Sequence, residues 1–114
     1  MRLRADFWVE AYLRRCAHEG AFAVLRRRGA PEAGAIFVKI DRLDGTAALF
    51  GPAPQTETAT RGVERLWSRL HREDWIDCAA VEERLRKEIG FDPDLWIVEA
   101  EDRQGRNFLD LAED

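Results

Sequence analysis

Gly90-Phe91-Asp92-Pro93-Asp94-Leu95-Trp96, continuing as Ile97-Val98-Glu99-Ala100-Glu101-Asp102-Arg103, decides the local architecture: a helix stop, a rigid turn and a strand. Upstream, Val81, Leu85 and Ile89 recur at helical spacing behind Asp77 as an N-cap. A helix is therefore expected over 77–90, with Gly90 at the left-handed position that closes it. Pro93 offers no N–H and blocks continuation. A strand from Asp94 to Asp102 follows, then a tight turn at Arg103-Gln104-Gly105-Arg106. Asn107-Phe108-Leu109 is read as a short returning edge.

The same grammar reads the N-terminal half. Asp6, Val9, Tyr12, Leu13 and Cys16 place apolar groups on one stripe of a helix over 7–19, which Gly20 ends. The period then drops to two. Phe22–Arg28 reads as a strand, Gly29-Ala30-Pro31-Glu32-Ala33-Gly34 as a hairpin turn, and Ala35–Asp41 as its returning partner. Asp44-Gly45 suits a two-residue turn with both residues at positive φ, leading into a third strand over 46–50. Residues 51–60 carry two prolines and no apolar period, and read as a loop. Within 61–76 a strand is expected, although Val63, Leu66, Trp67 and Leu70 also fit a helical stripe. These elements predict a single α+β domain over 1–114: an antiparallel sheet of four or five strands beginning as a meander, with two helices packed mainly on one face.

Composition narrows the classes. The chain has 114 residues, 46% of them hydrophobic, with four Trp and six Phe, enough for a core without metals or disulfides. No apolar run approaches the ~20 residues of a membrane span. The N-terminus has no secretory h-region, so the expected location is the cytoplasm. Cys16 and Cys78 are expected to be free thiols, since a reducing compartment and a domain of this size need no bridge. Net charge is −4, but residues 1–28 hold seven Arg against three acids, and residues 92–114 hold eight acids against two Arg. Opposed ends of this kind are expected to meet in the fold or face solvent.

Residues with chemistry fall into two groups. Arg26, Arg27 and Arg28, with Lys39 on a neighbouring strand and aromatics including Trp67, form a basic strip suited to an anionic or protein partner. Arg26, Arg28, Lys39 and Trp67 are its candidate binding residues. Phe22 and Phe37 beside that strip also fit stacking of single-stranded nucleic acid, a weaker reading because both rings are needed in the core. Asp94, Glu99 and Glu101 form the second group, in which same-side carboxylates on a strand offer oxygen ligands for a divalent cation. Gly29 and Gly34 have phosphate-loop spacing, but Ala35-Ile36 stand where Lys and Ser or Thr are required. His18 and His71 are the only histidines, and Cys16 and His18 diverge on their helix, so no nucleophile–base pair is visible.

Nearly the whole chain resembles one family. The stretches that carry the likeness are Ala11-Tyr12-Leu13-Arg14-Arg15, Gly20–Gly29, Gly34–Lys39, Phe50-Gly51-Pro52-Ala53-Pro54, Phe91–Trp96 and Glu101-Asp102-Arg103. Together they resemble a small, chiefly alphaproteobacterial family classed as a domain of unknown function, number fourteen ninety-one. The resemblance implies a compact bacterial cytoplasmic protein and no activity, ligand or catalytic residue. The leading expectation is a non-enzymatic interaction module without cofactor or bound metal, homo-oligomeric or joined to a protein partner. A metal-dependent enzyme built on the 92–102 carboxylates is the alternative, and nucleic-acid binding through residues 26–28 a further one.

Overall fold

The apolar stripe on the N-terminal segment forms helix α1 (Ala5–His18), which buries Val9, Tyr12 and Cys16. Gly20 stops it at φ +83, where Ala21 N–H donates to the Cys16 carbonyl at 2.9 Å and Gly20 N–H to Ala17 at 3.1 Å. The computed structural model describes residues 3–54 and 65–112. Beyond α1 the chain forms β1 (Phe22–Arg27), β2 (Ile36–Asp41), β3 (Thr46–Pro52), β4 (Trp67–Arg69), β5 (Ile76–Asp77), α2 (Cys78–Phe91) and β6 (Trp96–Glu101). All six strands join one sheet in the order β1-β6-β2-β3-β4, with β5 also pairing with β3.

The α+β class is as the sequence predicts, and β2–β3 is the expected antiparallel hairpin. The first step of the meander is corrected: β1 and β2 do not pair. The last strand, β6, lies between them, antiparallel to β1 and parallel to β2, so the sheet is mixed. Residues 29–34 are therefore a crossing over the start of β6 rather than a hairpin turn. Ala30 N–H donates to the Asp94 carbonyl at 2.8 Å, and the Trp96 indole donates to the Ala30 carbonyl at 2.8 Å.

The placement of the helices is corrected too. Ile36, Val38 and Ile40 pack with Val98, Ala100 and the α1 stripe, whereas Phe37, Leu49 and Ile97 pack with Val81 and Leu85 of α2. The helices thus cover opposite faces. A central strand that is apolar on both sides demands this, because one helix layer would leave the other face wet.

Smaller corrections have local causes. Gly90 sits inside α2, which continues to Phe91 and ends with Asp92 N–H on the Glu88 carbonyl at 2.9 Å. In the β2–β3 turn, positive φ falls on Leu43 and Gly45 instead of Asp44, whose carboxylate accepts from Thr46 N–H at 2.9 Å. The strand expected within 61–76 is β4, and positions 61–64 and most of the proline loop, 55–60, lie outside the described residues. Phe108 and Leu109 do not return beside β6. The chain crosses to β4 instead, where Trp67 N–H donates to the Asp110 carbonyl at 2.9 Å and Ala112 N–H to that of Trp67 at 2.8 Å. Cys16 and Cys78 are free thiols, the first buried and the second half-buried.

His71 completes the ladder beside β3. Its Nε2 accepts the Leu49 backbone N–H at 3.0 Å, and its Nδ1 lies 2.7 Å from the Glu73 carbonyl, which places the ring proton on Nδ1. Burial depresses the imidazole below its ordinary 6.5, aided by Arg69 and Arg84 and opposed by the Glu73 carbonyl. A base depressed in the folded state contributes fully above its unfolded value, and that contribution is lost as pH falls, because the unfolded chain takes up the proton first. Stability should therefore decline below pH 6.5 and level off once the native ring also protonates. His71→Ala should flatten this slope in urea titrations and lower stability by roughly 1–3 kcal/mol through the unpaired Leu49 N–H. An unchanged slope would refute the assignment.

Candidate functional site

Strand alternation sets Val24, Glu99, Lys39 and Leu49 side by side on the α2 face. Lys39 lies at the centre of the sheet and is only 5% exposed, so its ammonium needs fixed partners. Glu82 reaches down from α2 to it at 2.7 Å, and Glu99 lies 3.8 Å away. Arg26 closes the group with two contacts to Glu82, at 2.7 and 2.8 Å, and one to Glu99 at 3.0 Å. Two cations face two carboxylates.

The charges of Glu82 and Lys39 follow from this geometry. The Arg26 guanidinium, then Lys39, hold the Glu82 carboxyl down at about 2 despite partial burial. Burial alone would depress Lys39, but Glu82 and Glu99 together outweigh it and hold the ammonium above its ordinary value. An ammonium so held is no nucleophile near neutral pH. The cluster locks α2 to the sheet.

The sequence-predicted site residues are thereby redistributed. Arg26 and Lys39 meet, but on Glu82 and Glu99, inside the fold. Arg28 does not join them: a bulge between Leu25 and Arg27 shifts the register, and Arg28 lies over the Trp96 ring at 5.3 Å. The basic strip is therefore divided. Trp67 is buried against Trp8, their rings 4.8 Å apart, and presents no face to a partner. In the acidic group, Glu99 belongs to the Arg26 cluster, while Asp94 lies in the turn before β6, at the far end of that strand from Glu101. Among the described residues no three His, Cys, Asp or Glu side chains are grouped to hold a metal. Phe37 is buried beneath α2, so the aromatic pair read as a stacking platform is reduced to Phe22.

What the sequence reading missed lies along β1. The apolar contacts of α2 fall on β2, β3 and β6. On that face Phe22 is left 62% exposed and Val24 38%, with Leu43 of the β2–β3 turn exposed nearby. Phe22, Leu43, Glu101 and Gln104, with Arg103 and Arg106, line an open cleft of about 550 Å³. On the opposite face Ala23 and Leu25 pack toward α1. β1 is thus apolar on both faces and ends the sheet, with no described strand on its outer side. The other end of the sheet, β4, is covered by residues 110–112. Alternation along Phe22-Ala23-Val24-Leu25 was the available signal, and assigning Phe22 to the core concealed it.

Comparison with known proteins places the chain. The sequence profile of a family described as "Protein of unknown function (DUF1491)" matches residues 3–110. The chain belongs to the DUF1491 family. A crystal structure of a DUF1491 family protein from Caulobacter crescentus is 36% identical and aligns with 99% of this chain and 100% of its own, at a TM-score of 0.79. An NMR structure of a DUF1491 family protein from the same organism is 38% identical over 99% of both chains, at 0.80. A solution structure of a protein from A. tumefaciens is 36% identical and covers 89% of this chain and 86% of its own, at 0.74. These sources are alphaproteobacterial, as the sequence resemblance implied. No curated protein matches. The DUF1491 assignment supports the fold and leaves the role of the β1 edge to its own geometry.

Proposed function

We propose that this DUF1491 protein acts as a single-domain, non-enzymatic interaction module in the cytoplasm, docking a protein partner along the open edge of β1. One observation carries the reading: a sheet-ending strand with Phe22 62% and Val24 38% exposed, while the opposite end of the sheet is covered by the chain itself. An uncovered strand presents a row of backbone donors and acceptors, and natural proteins normally blunt such edges with charge or cover. Here charge begins only at Arg26. Addition of a strand would complete the ladder, and the exposed ring at position 22 supplies the apolar anchor. No described helix is long and apolar enough to cross a membrane.

The test is a photo-cross-linking residue at position 22, expressed in living bacteria and activated there. A discrete adduct is expected at position 22 and not at Arg14, an exposed control on α1. Absence of any adduct at position 22 overturns the reading.

A further inference from the structure

We infer that a recess beside β4 binds a phosphate group, free or carried by a small ester. The recess holds about 410 Å³ and is lined by β4 (67–69), His71, Arg72, Asp74 and residues 111–112. It lies at the end of the sheet opposite β1, so the inference stands apart from the docking role given to that edge.

Arg69 is the residue that calls for a ligand. The ladder pairs it with Phe50, and its guanidinium lies 4.9 Å over that fully buried ring. The stack holds the cation in one place. Its Nε–H is buried and donates to nothing. A charged donor taken out of water without a protein acceptor is costly, and an ion or ligand that meets it is a standard reason for its retention. Arg27 and Arg65 also bury an Nε, but each donates through a terminal nitrogen, to the Pro93 carbonyl at 2.6 Å and the Leu3 carbonyl at 3.0 Å. Arg69 makes no hydrogen bond among the described residues.

Arg72 supplies the second charge. It is exposed, and like Arg69 it has no ion-pair partner among the described residues, whereas Arg26, Arg84 and Arg106 are each held by a carboxylate. Guanidinium forks bind phosphate oxygens in pairs, and two of them match the two charges of the group. His71 is a wall and not a ligand, since its ring nitrogens are taken by Leu49 and Glu73. Asp74 is the one acid among the described lining residues and pairs with neither arginine, so it opposes the anion without neutralising the site.

The full chain is titrated with inorganic phosphate to about 50 mM at constant ionic strength and followed by amide NMR, which spans a dissociation constant on the order of 1 mM. Saturable shifts centred on the recess are expected. Arg72→Ala should weaken binding about tenfold and Asp74→Asn should tighten it about twofold, while Arg14→Ala on α1 changes nothing. Arg69→Lys keeps the charge without the fork and should lose most of the binding. Should that variant fail to fold, exposed Arg72 decides alone. Glycerol phosphate is the second probe: tighter binding than inorganic phosphate identifies an ester as the source, and equal binding identifies free phosphate. Shifts that never saturate, that acetate reproduces with equal affinity, or that survive Arg72→Ala overturn the site. Glu113 and Asp114 come next in the sequence. Binding that emerges only in a Glu113→Gln, Asp114→Asn double variant assigns the recess to the chain's own carboxylates and overturns the site too.

Discussion

Alanine at Gly29 should cost roughly 3 kcal/mol of stability or more, and alanine at Gly34 a comparable amount, because neither position has room for a methyl group. A Cβ at Gly29 would overlap the Asp94 carbonyl oxygen and come within 2.6 Å of both the Leu95 carbonyl carbon and the Trp96 ring. At Gly34 it would meet the same Asp94 oxygen at 2.5 Å and the Ala30 backbone at 2.9 Å. The nearest obstacle at each site is a backbone atom, which no side-chain rotation relieves. Both glycines exist so that the β1–β2 connection can pass close over the start of β6. Thermal midpoints should fall by roughly 10 °C or more for a domain of this size. Gly90→Ala is the control: nothing lies within 4 Å of its added carbon and the residue is helical. That exchange should raise stability by roughly 0.5–1 kcal/mol. A Gly29→Ala variant within about 1 kcal/mol of the parent would show that the crossing is looser than the geometry requires.

Lys39→Met should cost about 2–3 kcal/mol. Removing one member of a buried pair typically costs roughly 3–5 kcal/mol by leaving its partner uncompensated, but here Arg26 remains and the Glu82 side chain is 30% exposed. The variant leaves one cation facing two carboxylates. Glu82→Met added to Lys39→Met should recover part of the loss, since Arg26 and Glu99 then pair alone. The pH dependence carries a second signature. Glu82 is depressed to about 2 in the fold, so its contribution is present above its ordinary 4.5 and lost as pH falls between those values. Lys39 is raised above 10.5, so its contribution is present below that value and lost as pH climbs past it. Without Lys39, Glu82 loses one of the charges that depress it, and the acid-side decline should become shallower. Denaturant titrations across the acid range read this directly. A Lys39→Met variant with the parent's stability and acid slope would contradict the cluster's locking role.

Much of the fold was legible because its signals are local. Val9, Tyr12 and Cys16 at helical spacing with Gly20 behind them define α1, and the β2–β3 hairpin follows from alternation around Asp44-Gly45. The order of strands was not legible. Phe22–Arg28 and Ala35–Asp41 around a glycine-bearing turn look the same whether the strands pair with each other or leave a gap for a third. The reason for Gly29 and Gly34 lies in the backbone of Asp94, far along the chain. Ile36-Phe37-Val38, apolar on both sides, did hold the evidence for helices on two faces. The site was obscured for the same reason: Arg26 finds Glu82 56 positions away, and one bulge splits three adjacent arginines between different surroundings.

The insertion of β6 between β1 and β2 has a consequence for synthesis on the ribosome. The strand that joins the two halves of the sheet is translated after the other described strands, so two strands that look made for each other emerge before the one that separates them. A premature β1–β2 hairpin would be a kinetic trap that delays the C-terminal segment from threading into place. Insertion of β6 between β1 and β2 therefore competes with any early contact between those two strands.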